Sequence, residues 1–159
     1  MKIRKFRDSD INQIVFLFYE TVHSVNAQDY STEQLNAWAP KDEGNAKLIN
    51  WKDLFSCNIT YIAEINDKIV GFSDMTYNGY LDRLYIHKDF QRQGIATSLL
   101  NKIESKAREI GLSEIHVEAS ITAKPFFESC GYHIFKSQTV ERRGITLLNF
   151  KMVKSLLLV

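Results

Sequence analysis

The sequence is short of cysteine, of proline, of one-sided charge and of long apolar runs, and each shortage excludes a class of protein. Two cysteines, Cys57 and Cys130, in 159 residues are too few for a disulfide framework and stand at no metal-binding spacing, so no metal is expected. Nowhere do about 20 apolar residues run together, the length needed to cross a bilayer, so no membrane association is expected. The opening MKIRKFRDSD is charged and has no apolar stretch behind it, unlike a secretory leader. A reduced, cytoplasmic setting is the expectation. The formal net charge is +1, and without a basic, aromatic-studded face there is no electrostatic footprint for nucleic acid. Proline occurs twice, at Pro40 and Pro125, and no linker, repeat or low-complexity stretch interrupts the chain. What remains, 45% apolar and 25% charged residues, is the balance of a globular protein, and the length suits one domain over residues 1–159.

The first six residues alternate apolar and basic side chains and predict a strand. Ser9 and Asp10 offer cap oxygens to a helix with apolar positions at Ile11, Ile14, Val15, Phe18, Val22 and Val25. His23 lies near its end, as a half-buried polar residue or as a substrate contact. Ser31-Thr32-Glu33-Gln34 is a capping box that opens a second helix, and Pro40 stops it. Residues 44–55 carry a fainter helical pattern, enough for a turn or two. From Ile59 the period becomes two, with Ile59, Tyr61, Ala63 and Ile65 on one face. Asn66-Asp67-Lys68 turns the chain, and Asn78-Gly79 is the strongest short hairpin signal. Three antiparallel strands therefore lead up to residue 80. Later, residues 114–119 read as a strand parallel to the one before the long helix. Ser120 or Thr122 begins a short helix that Gly131 ends. A hairpin about Arg142-Arg143-Gly144 follows, and the apolar tail from Leu156 to Val159 is expected to pack rather than stay in solvent.

The informative stretch is YLDRLYIHKDFQRQGIATSLLNKIESKAREI, residues 80–110. Tyr80, Leu84, Tyr85 and Ile86 mark a strand, residues 87–93 a polar loop, and Ile95, Ala96, Leu99, Ile103, Ala107 and Ile110 a helix. A strand, a turn and a glycine at the helix start make an anion site, because the first N–H groups of a helix lack partners and carry partial positive charge. Gly94 lets a phosphate approach the backbone, and Arg92 adds a full charge. This is neither a P-loop nor a dinucleotide fingerprint, since no Gly-Lys-Ser/Thr follows and one glycine stands alone.

The string Leu84-Tyr85-Ile86, five residues, then Gln91-Arg92-Gln93-Gly94-Ile95-Ala96 closely resembles motif A of the Gcn5-related N-acetyltransferase (GNAT) superfamily, Gln/Arg-x-x-Gly-x-Gly/Ala after a strand. SITAKPFFESCGY, residues 120–132, resembles its motif B. Within the superfamily, DYSTEQLNAWA (29–39) together with VEASITAKPFFE (117–128) is most similar to the YafP-like bacterial branch. The resemblance implies an α+β fold: one mixed, mostly antiparallel sheet of about six or seven strands with a splayed parallel pair, flanked by about four helices. It implies acetyl-CoA as cosubstrate and a small-molecule or peptide amine as acceptor, in a monomer or homodimer, with direct transfer in a ternary complex. By that likeness the backbone of Leu84, Tyr85 and Ile86 pairs with the pantetheine, and an N–H near Leu84 polarises the thioester carbonyl. Gln91, Arg92, Gln93, Gly94, Ile95, Ala96 and Thr97 hold the diphosphate.

Strand alternation places Tyr80, Asp82, Leu84 and Ile86 on one face, the face that the resemblance turns toward the acceptor. Asp82 is the first candidate for general base, with Glu64 second and Glu118 third; an ion pair between Asp82 and a nearby arginine is the competing reading. Tyr30 and Trp38 either line the acceptor pocket or pack in the core. Ser120 stands where many relatives carry a cofactor-contacting asparagine. Phe127 stands on the cofactor side where many carry a tyrosine that protonates the leaving thiolate, and it has no proton to give. Cys130, one turn on, is either a small buried residue or a substitute acid. The missing tyrosine also motivates a second reading, a non-catalytic acyl-CoA sensor.

Overall fold

The computed structural model of the protein describes residues 1–157. In chain order they form β1 (Lys2–Lys5), α1 (Ile11–Ser24), α2 (Thr32–Trp38), α3 (Gly44–Cys57), β2 (Ile59–Ile65), β3 (Lys68–Met75) and β4 (Tyr80–Ile86), followed by α4 (Ile95–Glu109), β5 (Glu114–Ser120), α5 (Lys124–Ser129), β6 (His133–Arg142) and β7 (Ile145–Ser155). The strands make one sheet in the order β1-β2-β3-β4-β5-β7-β6. Every neighbouring pair is antiparallel except β4–β5.

Turn chemistry explains the antiparallel half. Asn66 and Asp67 both adopt left-handed backbone, φ 49° and 63°, as a two-residue type I′ turn requires, and they fold β3 back on β2. Arg143 and Gly144 repeat this geometry, φ 49° and 77°, between β6 and β7. At Asn78-Gly79 only the glycine is left-handed, φ 95°, the pattern of a type I turn completed by a bulge glycine. A Cβ at Gly79 would lie 2.9 Å from the Glu114 carbonyl oxygen, so this glycine also lets β5 begin beside the turn. There the His116 N–H donates to the Gly79 carbonyl.

The sheet has an apolar core on each face. On one, α4 and α5 cover Tyr61, Val70, Leu81, Val117 and Met152 with Leu99, Ile103 and Phe127. On the other, α1 and α3 cover Ile62, Phe72 and Leu147 with Ile14, Phe18, Trp51 and Phe55. Helix α3 runs 14 residues, longer than its faint pattern suggested, because only Trp51 and Phe55 of it are buried and two aromatic anchors suffice to hold it. Ser31 and Gln34 form the reciprocal capping box expected at the start of α2. At the chain end Leu156 packs into the core and donates its N–H to the Ser113 carbonyl, whereas Leu157 is exposed; Leu158 and Val159 of the expected apolar tail lie outside the described residues.

Helix α4 sits close to the sheet because Gly71 makes room. A Cβ there would come within 2.9 Å of the Ile86 Cδ1 and 3.1 Å of the Leu99 Cδ1. Gly71→Val should therefore overpack this contact and cost about 1–3 kcal/mol, read as a lower urea midpoint at unchanged slope.

The sheet's far edge carries an ion cluster. Arg4 donates to both oxygens of Asp10 at 2.8 Å and also pairs with Glu64, and the Arg7 N–H donates to Asp10 at 2.8 Å. Burial pushes the Asp10 carboxyl up, but these donors more than offset it and hold it below the usual carboxylate range. A depressed carboxyl stabilises the fold above its unfolded value of 3.8, and the contribution is lost as pH falls through the folded value. Asp10→Asn should flatten the loss of stability between about pH 5 and pH 2, measured by urea unfolding at each pH.

Candidate active site

The parallel pair is barely a pair. β4 and β5 meet only at Tyr80↔His116 and Leu81↔Val117, and beyond this point β5 continues on β7 alone, through Ser120↔Asn149. From Asp82 onward the two strands part and leave a gap in the sheet. Because the His87 N–H donates to Val70 directly opposite, alternation turns the backbone of Arg83 and Tyr85 toward β3 and that of Leu84 and Ile86 toward the gap. The Ile86 carbonyl already accepts from Thr21 Oγ1 and Gln91 Nε2. This corrects the expectation for Tyr85, whose backbone pairs with Phe72, and leaves Leu84 as the strand residue with its backbone turned to the gap and uncapped.

A β-bulge decides which side chains face the acceptor side. Met75 pairs with Leu81 and Asp74 with Arg83, so Asp82 is an extra residue and the alternation shifts by one. The expected face of Tyr80, Asp82, Leu84 and Ile86 is thereby broken. Leu84 and Ile86 pack toward α4 with Leu81, while Tyr80, Asp82, Arg83 and Tyr85 line a cavity of about 240 Å³ on the opposite face. Its floor continues through Glu118, Ser120 and Asn149, its far end holds Val140 and Arg142, and its roof is Phe18, Tyr30, Trp38, Lys47 and Trp51.

The charges in this cleft are arranged by burial. Asp74 is fully buried and takes a two-pronged bond from Arg83 at 3.0 and 2.8 Å and a third from Asn58 at 3.0 Å. The Arg83 guanidinium also lies over Trp51 and Phe55 and reaches Asp82 at 3.2 Å. Asp82 is thus the arginine-paired carboxylate that the competing reading foresaw. Lys47 sits 4.5 Å above the Phe18 ring and pairs with Glu43 at 2.9 Å. Glu118 is different: its partner is the Tyr80 hydroxyl, which donates to it at 3.0 Å, and no cation pairs with it among the described residues. Burial, then the Glu118 charge, pushes the Tyr80 phenol well above its ordinary value, so it remains a donor. The Asn149 Oδ1 is buried and has no hydrogen-bond partner.

Tyr30 and Trp38 both line the cleft, edge to face at 5.4 Å. The Tyr30 hydroxyl is already engaged, donating to the Leu148 carbonyl at 2.7 Å and accepting from the Ile121 N–H at 2.9 Å. Beside it Thr122 donates to Asp29 at 2.8 Å. The two stretches that carried the branch resemblance, around residues 29–39 and 117–128, are therefore in contact.

The cradle lies at the other mouth of the gap. Arg92 and Gly94 both take left-handed backbone, φ 59° and 81°, which turns successive N–H groups into an anion-binding concavity. The first bond of α4 runs from Ser98 N–H to the Gly94 carbonyl, so the N–H groups of Ile95, Ala96 and Thr97 are left for a ligand. A Cβ at Gly94 would meet nothing within 4 Å, so its φ, more than its lack of a side chain, calls for glycine. Gln91 pins the loop, its amide donating to the carbonyls of Ile86 and His87. Gln93 lies inside the same turn and is exposed.

Of the remaining expectations, one lies in the cleft and the rest fall away from it. Ser120 lines it, and its hydroxyl accepts from the Ala123 N–H at 3.0 Å. Phe127 is 2% exposed and packs against Tyr132 and Phe126, which places it in the core. Cys130 caps α5 and packs against that same core. Glu64 is held by Arg4 at the opposite end of the sheet. His23 Nε2 donates to the Ala39 carbonyl, 2.8 Å away, tying α1 to the end of α2. Arg83, Asn149 and Arg142 were not singled out by the sequence; polar residues inside alternating strands gave no local signal. Among the described residues no group of three or more His, Cys, Asp or Glu is placed to hold a metal, and no helix is long and apolar enough to cross a membrane.

A sheet parted between parallel strands, with free N–H groups at the start of the following helix, is the architecture of a GNAT-type acetyltransferase. The chain belongs to the acetyltransferase (GNAT) domain family, whose model matches residues 26–154. It is 36% identical over 152 residues to the uncharacterized N-acetyltransferase YafP of Escherichia coli K12, covering 96% of this chain and 94% of that protein. A crystal structure of a GCN5-related N-acetyltransferase from Rhodopseudomonas palustris superimposes with a TM-score of 0.90 at 30% identity, over 97% of this chain and 94% of that one. The PaiA N-acetyltransferase of Thermoplasma acidophilum, solved with coenzyme A, shares the fold at a TM-score of 0.76 and 19% identity, over 97% of this chain and 98% of that one. The expected family, fold and N-acetyltransferase activity are borne out, with seven strands and five α-helices among the described residues.

Proposed function

We propose that the protein moves the acetyl group of acetyl-CoA directly to a primary amine within a ternary complex, and that Glu118 is the base. The observation that supports this is the placement of one free carboxylate, Glu118, where β4 and β5 part. Residues 94–97 and Arg92 would hold the diphosphate, and the gap-facing backbone of Leu84 the pantetheine. When bound, acetyl-CoA supplies an acyl group activated as a thioester.

An alkylamine with a pKa of about 10.4 is protonated at pH 7, and freeing its lone pair costs roughly 4–5 kcal/mol. Glu118 accepts that proton, directly or through one water, and Tyr80 fixes the carboxylate by donating to it. Asp82, committed to Arg83, is the weaker acceptor and serves to orient the ammonium. The nitrogen forms its bond to the acetyl carbon as the carbon–sulfur bond breaks. The surplus proton on the acylated nitrogen passes through water to the leaving thiolate, since Phe127 has no proton to give.

Calorimetric titration with acetyl-CoA should give saturable binding that Gly94→Val abolishes while the protein stays folded. Thiol release with a panel of primary amines should follow. No binding at millimolar cofactor would end the proposal; binding with no turnover on any amine would leave the sensor reading in its place.

A further inference from the structure

Resting on the acetyl-transfer reading of this cleft, we propose that the acceptor is a primary amine that also carries an anionic group, a carboxylate or a phosphate, several bonds from the nitrogen. Ion pairing within the cleft leads to this. Asp82 is paired with Arg83, and Lys47 with Glu43. Among the described residues that line the cleft, that leaves one carboxylate without a cation, Glu118, and one cation without a carboxylate, Arg142, whose guanidinium bonds only the Glu141 carbonyl; Lys151, opposite Glu118 in register, is not among the lining residues. A pocket with one free charge of each sign complements a zwitterion. A polycation such as an aminoglycoside, the substrate named for some of the distant fold neighbours, would meet too few carboxylates.

The two free charges stand at opposite ends. Glu118 pairs in register with Lys151, two residues along β7 from Asn149, so the unpartnered Asn149 Oδ1 lies beside the carboxylate and accepts an N–H from the ammonium. Arg142 pairs with Ile145, four positions beyond Asn149 and six beyond Lys151 along β7, about 20 Å from the Glu118 register at strand rise. Even with the long guanidinium arm reaching back, this separation exceeds that of an α-amino acid. The aromatic walls that Phe18, Trp38 and Trp51 give the same cleft suit an apolar or aromatic spacer.

With acetyl-CoA saturating, thiol release is compared for 2-phenylethylamine, 4-(2-aminoethyl)benzoate, the phosphate ester of tyramine, and p-xylylenediamine. The anionic amines should exceed the neutral one in kcat/KM by about tenfold, the scale of one charge-assisted contact, and the diamine should be the poorest. The benzoate and phosphate arms show which anion is preferred. Arg142→Gln should collapse the anionic-to-neutral ratio toward one, while Asn149→Leu should raise KM for all the amines and keep the ratio. Equal rates for neutral and anionic amines, preference for the diamine, or a ratio unmoved by Arg142→Gln would overturn this inference and leave acetyl transfer standing. If no amine turns over, the anionic amines titrated into the CoA-bound protein must still bind more tightly than 2-phenylethylamine, or the inference fails. Absence of acetyl-CoA binding would remove both readings together.

Discussion

Glu118→Gln should lower the rate of acetyl transfer by about 10²–10⁴-fold, the usual contribution of a positioned base, with little change in KM for acetyl-CoA. Glutamine keeps the volume and still accepts from the Tyr80 hydroxyl, which donates to Glu118 at 3.0 Å, so the fold is not the variable. An amine presented already neutral at high pH should recover much of the rate in the variant. Asp82→Asn is expected to cost less, since Asp82 is held by Arg83 at 3.2 Å. Tyr80→Phe should fall between them by leaving Glu118 without its fixed donor. Steady-state thiol release across pH for the three variants decides the order. If Asp82→Asn proved the most damaging, the base would be Asp82.

Asp74→Ala should be the most destabilising single change near the site, by about 3–5 kcal/mol, the cost of stranding a buried charge. The Asp74 side chain is fully buried and that of Arg83 is 11% exposed, so Arg83 would keep its positive charge with Asp82 as its remaining partner. The loss is specific to breaking the pair: replacing both members together, Asp74→Leu with Arg83→Met, should return most of the stability. Urea unfolding of the single and double variants tests this directly. A double variant as unstable as Asp74→Ala would show that packing around residue 74, and not the ion pair, carries the effect. Activity in the double variant should still fall, because Asp82 would lose the arginine that orients it.

Much of this was legible residue by residue. The capping box at Ser31 and Gln34, the turn at Asn66-Asp67 and the helix start at Gly94 are local arrangements, in which a few neighbouring residues satisfy each other's backbone groups. Local chemistry of that kind is present in the sequence itself. The faces of β2 were legible for the same reason, since strict alternation maps Ile59, Tyr61, Ala63 and Ile65 to one core. The same rule failed on β4. There the pairing of Met75 with Leu81 and of Asp74 with Arg83 inserts Asp82 as a bulge, and no sequence rule marks where a partner strand will skip a residue. Helix α3 was underestimated because a helix held by two aromatic anchors has little periodicity to read.

The candidate site divides along the same line. By itself the sequence determined the family, the helix start at Gly94, and the parallel strands on either side of α4, because these depend on short stretches whose residues act on their own backbone. The tertiary structure decided which carboxylate is free. Asp82, Glu118 and Glu64 are equivalent as letters, and they differ only because Arg83 reaches Asp82, Tyr80 reaches Glu118 and Arg4 reaches Glu64. Each of these contacts depends on which side chain a bulge or a strand register turns toward which neighbour. Electrostatics falls off within a few ångströms once charges are paired, so a carboxylate's role depends on partners that only the folded chain brings beside it.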